Sequence, residues 1–228
     1  MTLLHVTDLH FRRPWFDWLR HQAPAHSALI ISGDLLDQRL PDINRQMAWV
    51  ASWLRDSPVP VVVASGNHDL EWNAATYRWQ PAYWLRELPP PVHPDGKVLA
   101  HAGLRFAAIA CTQRPRSAAA DGWVVHAPPA KTRVSRSEHG YDRGDHLLAD
   151  AVLKHAPAYV FSGHVHDPTR WHDFMGDAVV FNPGANPHGR FPNHLLLDLE
   201  TGEACRYTDR LHGAFSERVQ VPGRLVLR

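Results

Sequence analysis

Three apolar runs lie within the first 65 residues: TLLHVT (2–7), ALIIS (28–32) and VPVVVAS (59–65). None alternates with polar residues, so none has a face to offer water. Strands of this kind are buried on both sides, which is the situation of parallel strands covered by helices. AYVFS (158–162) repeats the pattern. INRQMAWVASWLRD spaces Ile43, Met47, Val50 and Leu54 by three and four residues and is stopped by Pro58, which predicts a helix between the second and third runs. DHLLADAVLKHAP predicts another, with Asp145 as N-cap, Pro157 as terminator, and Leu147, Leu148, Ala151 and Val152 on its buried face. Strand, helix, strand, helix, strand is a βαβ opening.

From Gly96 onward the runs shorten and turns multiply: KVLAHAGLRFAAIA, DGWVVHA, DAVVFNPG and NHLLLDLETGEACRYTD. A hairpin is expected around Glu200-Thr201-Gly202, and the second half is expected to be a more antiparallel sheet. Segments 112–121 and 127–144, rich in Arg, Ser, Ala and Pro, read as surface loops. At 228 residues the whole chain, 1–228, is expected to be one domain.

The apolar runs end in a consistent way. LLHVT leads to Asp8-Leu9-His10, ALIIS to Gly33-Asp34, VVVAS to Gly66-Asn67-His68-Asp69, WVV to His126, and YVFS to Gly163-His164-Val165-His166. Ligand sites of open α/β sheets gather at the carboxyl ends of strands, so one edge can bring these groups together. With 17 histidines and as many aspartates, a lone Asp-x-His or His-x-His is expected about once in a shuffled chain. Gly-Asn-His is expected about 0.03 times, and the ordered set of five far less often. Carboxylate, imidazole and amide oxygen together suit manganese, iron or zinc, and there are too many donors for a single ion. Two residues apart on an extended segment, Asp8 and His10 share a side, as do His164 and His166.

This ordered set resembles the calcineurin-like metallophosphoesterase superfamily, over residues 8 to 166. The resemblance implies a four-layer α/β/β/α sandwich with two mixed β-sheets and a dinuclear metal centre. It implies that Asp8, His10 and His166 hold one metal, Asp34 bridges, and Asn67, His126 and His164 hold the other. Two divalent ions are expected, manganese foremost, with iron or zinc as alternatives. His68 is expected to touch substrate and Asp69 to orient its imidazole from behind. The activity implied is hydrolysis of a phosphate ester, a small phosphodiester ahead of a monoester, by attack of a metal-held hydroxide. A nuclease is disfavoured by the formal net charge of +1 and the lack of a basic stripe. A binding module that kept the fold and lost the chemistry is the rival from another class, and the retained His68 argues against it.

Arg114, Arg116, Lys131, Arg133 and Arg136 are candidates to grip a phosphate, with a solvated loop as the ordinary alternative. For Trp72, Trp79 and Trp84, core packing is favoured over walling a pocket. Asn182 in FNPGA matches the family's Asn-Pro-Gly segment, and a turn also explains it. His5, His21, His26, His139 and His188 read as surface or satisfied core residues. The segment after His212 offers an edge strand or a partner contact. Cys111 and Cys205 show no disulfide or zinc spacing, no apolar stretch reaches the ~20 residues of a membrane span, and Asp8 and His10 interrupt the opening run, so a signal peptide is not expected. A cytoplasmic protein without membrane contact is expected.

Overall fold

A computed structural model describes residues 1–115, 120–210 and 213–222. Arg116 and the residues beyond 222 lie outside the described residues. In chain order the strands are β1 (Thr2–Val6), β2 (Ala28–Ser32), β3 (Val61–Ala64), β4 (Glu71–Asn73), β5 (Arg78–Gln80), β6 (Val92–His93), β7 (Val98–His101) and β8 (Leu104–Ala108). They continue with β9 (Gly122–Val124), β10 (Tyr159–Phe161), β11 (His172–Met175), β12 (Ala178–Phe181), β13 (His194–Asp198), β14 (Glu203–Arg210) and β15 (Gly213–Gln220). The helices are α1 (Arg13–Gln22), α2 (Ile43–Arg55), α3 (Tyr83–Arg86) and α4 (His146–His155).

Two large sheets carry the fold. The first has the order β15-β14-β13-β1-β2-β3-β6, and the second β11-β12-β10-β9-β8-β7. Each strand run splits its apolar residues between two layers, as a period of two requires. In β1 to β3, Leu3, Ile30 and Val62 face the second sheet, while Leu4, Leu29, Ile31, Val61 and Val63 face the helices. In β10 and β12, Tyr159, Phe161, Val179 and Phe181 face the first sheet, while Val160 and Val180 face α4. Trp15, Phe16 and Leu19 of α1 and Val50, Trp53 and Leu54 of α2 cover one outer face. Leu148 and Val152 of α4 cover the other. Each such side chain stabilises the sandwich by ~1.5–3 kcal/mol on burial. The layers are therefore α/β/β/α, as the resemblance implies.

Several expectations are corrected. The second sheet is parallel at its centre: β8, β9, β10 and β12 run the same way, and only the edge pairs β7/β8 and β11/β12 are antiparallel. The antiparallel strands β13 to β15 join the first sheet instead, with the hairpin at Glu200–Gly202 and β15 as its edge. Asp145 caps α4 as expected, accepting from the N–H of Leu147 (2.7 Å) and Leu148 (3.1 Å). Leu147, however, is exposed, and Ala149 takes its place in the buried stripe with Leu148 and Val152. Segment 127–144 is a surface loop only in its second part: Ala130, Thr132, Val134, Ser135 and Ser137 are buried packing residues, while residues 138–143 are exposed as expected. Trp72 and Trp79 are half exposed on β4 and β5, a two-stranded ribbon that joins neither large sheet. Three residues per strand are too few to build a core of their own.

Candidate metal centre

The carboxyl ends of β1, β2, β3, β9 and β10 meet at one place between the two sheets. His10 Nε2 lies 3.3 Å from His166 Nε2, and His166 Nε2 lies 3.2 Å from Asp8 Oδ1. His126 Nε2 lies 3.1 Å from Asn67 Oδ1 and 3.3 Å from Asp34 Oδ2. Three sets of donor atoms fall within 4.8 Å of one another: Asp8, His10 and His166; Asp8, Asp34 and His126; and His10, Asp34 and His68. The His164 ring stands edge-on to His126, with centroids 5.0 Å apart.

Backbone conformation produces this convergence, and the extended geometry expected for Asp8/His10 and His164/His166 is not what the chain adopts. Asp8 (φ 53°), His10 (φ 42°), Asp34 (φ 54°) and His164 (φ 66°) all occupy the left-handed region. Such residues cost ~1–3 kcal/mol each and persist where surrounding contacts over-determine them. Here the N–H of Asp8 donates to Gly33 O (3.0 Å), that of His10 to Asp34 O (2.9 Å) and that of His164 to Asp8 Oδ2 (3.0 Å). Two glycines make the approach feasible. A Cβ on Gly163 would lie 1.7 Å from Thr7 Oγ1 and 2.7 Å from Asp8 Oδ2, and one on Gly66 would lie 2.1 Å from Asp34 Oδ1.

The donor set fits divalent cations. His126 Nδ1–H donates to the Ser32 carbonyl at 2.8 Å, which aims Nε2 at the oxygens of Asp34 and Asn67. An Nε2 between two acceptors needs either a proton or a cation beside it. With no metal bound the proton wins: although burial disfavours it, the Asp34 and Asp8 carboxylates push His126 up to about 10. Burial also opposes charge on Asp8 and Asp34, yet their histidine partners hold both below the usual carboxylate range. Burial holds His10 and His164 below the ordinary imidazole value, so both offer lone pairs at neutral pH. Cations binding here displace protons.

His68 lines the cavity over this cluster, its ring 4.8 Å from that of His10 and its Nδ1 buried without a partner among the described residues. Asp69 does not orient it. The Asp69 carboxylate accepts from the main-chain N–H of Leu35 (2.9 Å), Leu36 (3.0 Å) and Gly66 (2.8 Å), tying the loop after β2 to the turn after β3. Burial and the neighbouring Asp34 push Asp69 up to about 8 against the pull of those N–H groups.

The cavity, about 340 Å³, is also lined by Arg39, Ser137, His139 and Arg143. None of Arg114, Lys131, Arg133 or Arg136 lines it. Arg39, His139 and Arg143 belong to no motif, and no signal in the sequence marks them. Asn182 was legible as a motif residue but not in its role. Wholly buried, it donates to the carbonyls of Gly163 and Val165, both at 3.0 Å, and of Val134 at 3.3 Å.

A family model described as calcineurin-like phosphoesterase matches residues 1–168. No curated protein matches the chain. Among solved structures, TT1561 of Thermus thermophilus is 15% identical with a TM-score of 0.58, covering 95% of this chain and 97% of that one. A structure described as a novel archaeal phosphodiesterase is 14% identical with a TM-score of 0.53, covering 96% and 100%. Vacuolar protein sorting 29 from Cryptosporidium parvum is 14% identical with a TM-score of 0.53, covering 96% of each chain. A fold shared by proteins described so differently does not choose the chemistry.

Proposed function

Because this chain belongs to the calcineurin-like phosphoesterase family, we propose that it hydrolyses a small phosphodiester with the aid of two divalent cations. The observation that carries this reading is the convergence of Asp8, His10, Asp34, Asn67, His126 and His166 on one point, with His164 beside them. Asp8, His10 and His166 would hold one ion, Asp34 would be shared, and Asn67, His126 and His164 would hold the other. Manganese is the ion of choice, with iron or zinc suited to the same donors. What the ions supply when bound is Lewis acidity toward phosphoryl oxygens and activation of water at neutral pH.

The chain's own residues do the rest. His68 stands over the cluster to hydrogen-bond the phosphoryl group and hand a proton to the departing oxygen. Asp69 acts as a positioning residue by fixing the two loops that present Asp34 and His68. Support for a diester comes from the space around the centre. The cavity under His68 shares His10, Arg39 and His166 with a second cavity, of about 390 Å³ and also lined by Arg12, Trp15 and Pro187. A phosphoryl group at these shared residues has two cavities to receive its substituents. Arg39 and Arg143 favour a second reading, a monoester, since two cations suit a doubly charged phosphate.

Among the described residues no helix is long and apolar enough to cross a membrane. Cys111 and Cys205 are free, which suits the reducing cytoplasm we infer for this enzyme. The test is release of nitrophenol from bis(p-nitrophenyl) phosphate by protein loaded with manganese, compared with EDTA-treated protein and with His68→Ala. Metal-dependent turnover that falls at least about 100-fold in His68→Ala is expected. Equal inactivity of both proteins across manganese, iron and zinc refutes the reading.

A further inference from the structure

Trp72 and Trp79 are 51% and 53% exposed, alone among the tryptophans of the chain in being so open, and their rings meet edge to face with centroids 5.2 Å apart. They form one wall of a cavity of about 360 Å³ whose other walls are Gln38, Ile43, Asn44, Met47, Leu70 and Glu71. That volume is within the range of small-molecule sites. The ribbon starts directly after the turn that carries His68, and α3 bridges the two. Trp84 Nε1 donates to Asp69 O at 2.9 Å, and Glu71 Oε1 accepts from the Trp84 N–H at 2.8 Å. The cavity and the metal centre also share a partition. Gln38 Nε2 donates to the carbonyls of Asn67 and Leu70, both at 3.4 Å, while the next residue, Arg39, lines the cavity under His68.

We propose that this cavity is a nucleobase subsite, taking the flat uncharged ring of a nucleotide ester whose phosphoryl group sits at the metal centre. This rests on the phosphoesterase reading and names its substrate class. Charge argues for the division of labour: the lining holds no lysine or arginine, and its one carboxylate, Glu71, accepts from the chain itself, so an anionic part of the ligand is excluded. The positively charged side chains lie on the far side of the partition, with the metal ligands. Chemistry argues for an aromatic ring over a sugar. A sugar demands many directed hydrogen bonds, whereas here the Gln38 amide N–H groups are used on main-chain carbonyls and Ile43, Met47 and two indoles dominate. Indoles and a thioether are favourable contacts for a π-face of any base.

Two measurements on the full chain test this. In the first, adenosine, which has no phosphate, is titrated into EDTA-treated protein while the indole N–H resonances are followed by NMR, with Trp72→Phe and Trp79→Phe assigning two of them. Saturable shifts at those two indoles are expected, and their loss in the Trp72→Ala/Trp79→Ala double variant. No shift at either indole up to the solubility limit overturns the proposal, as do shifts caused by methyl glucoside or only by a single-stranded oligonucleotide. In the second, turnover of thymidine 5′-(p-nitrophenyl phosphate) is compared with that of methyl p-nitrophenyl phosphate, so that the nitrophenyl ring is common to both. Each Trp→Ala change should lower kcat/KM for the thymidine ester about tenfold and leave the methyl ester within about twofold. Equal effects on both esters overturn the subsite. If neither ester is turned over by the parent protein with any metal, the phosphoesterase reading fails and the adenosine titration alone judges the cavity. The ribbon contributes to neither sheet, and unchanged melting temperatures verify that the variants are folded.

Discussion

The side-chain amide of Asn182, at the end of β12, donates to the carbonyl oxygen of Gly163, at the end of β10, across 3.0 Å. A second bond of the same length reaches Val165, so the peptide entering His164 and the peptide entering His166 are both fixed by one amide. Asn182→Asp puts an acceptor where the N–H groups were and leaves those buried carbonyls facing a charge. Unsatisfied buried groups cost ~1–3 kcal/mol each. A lower melting temperature and loss of manganese stoichiometry, read by calorimetry and elemental analysis, are expected; Asn182→Ala should show both effects more weakly.

Gly163→Ala drives a methyl group into Thr7 and Asp8, and neither the backbone nor the short Thr7 side chain can withdraw. Overpacking of this kind costs ~1–3 kcal/mol. Turnover should fall with the change, and the same substitution at exposed Gly140, where a Cβ would meet nothing within 4 Å and only the left-handed backbone at φ 85° is strained, should lower it far less. Steady-state assays of the two variants side by side decide it.

Cation binding should raise the melting temperature. Ligands that bind only the folded state stabilise it by ~2.7 kcal/mol at a hundredfold excess over Kd. Asp34→Asn, which removes the carboxylate common to two of the donor sets, should abolish most of that manganese-dependent increment. A variant with the full increment would show that Asp34 is not a ligand.

Acid should weaken the fold even without metals. His194 is buried among Trp18, Phe191 and Tyr207, and burial pushes it down to about 4, with the Pro192 carbonyl opposing. The unfolded chain takes up this proton near pH 6.5 and the folded one only near 4, so stability is intact above pH ~6.5 and drains away as the pH falls toward 4. His194→Phe keeps the ring stack and removes the titration. Urea unfolding of EDTA-treated protein at several pH values should show a slope shallower by ~1.4 kcal/mol per pH unit in the variant.

The layered fold and the convergence of candidate metal ligands were legible because both rest on residue type. Unbroken apolar runs such as ALIIS have one use, and five of them ending on carboxylates and imidazoles have few. What was not legible depends on neighbours distant in the chain. Small residues in 127–144 look like loop residues until Ala130 and Val134 are seen buried beside α4 and the second sheet. Trp72 and Trp79 sit in strands too short to show a period, so hydrophobicity alone suggested a core. Asp69 stands next to His68 in sequence, yet two of its three main-chain partners lie thirty-odd residues earlier, on Leu35 and Leu36.

The left-handed backbone at Asp8, His10, Asp34 and His164 sets durability against usefulness. Glycine relieves that torsional burden at no steric expense. A laboratory population selected only for heat resistance should therefore accumulate glycines at His10 and His164, where no carboxylate holds a main-chain N–H as Asp8 and Asp34 do, growing hardier while its members go silent as catalysts.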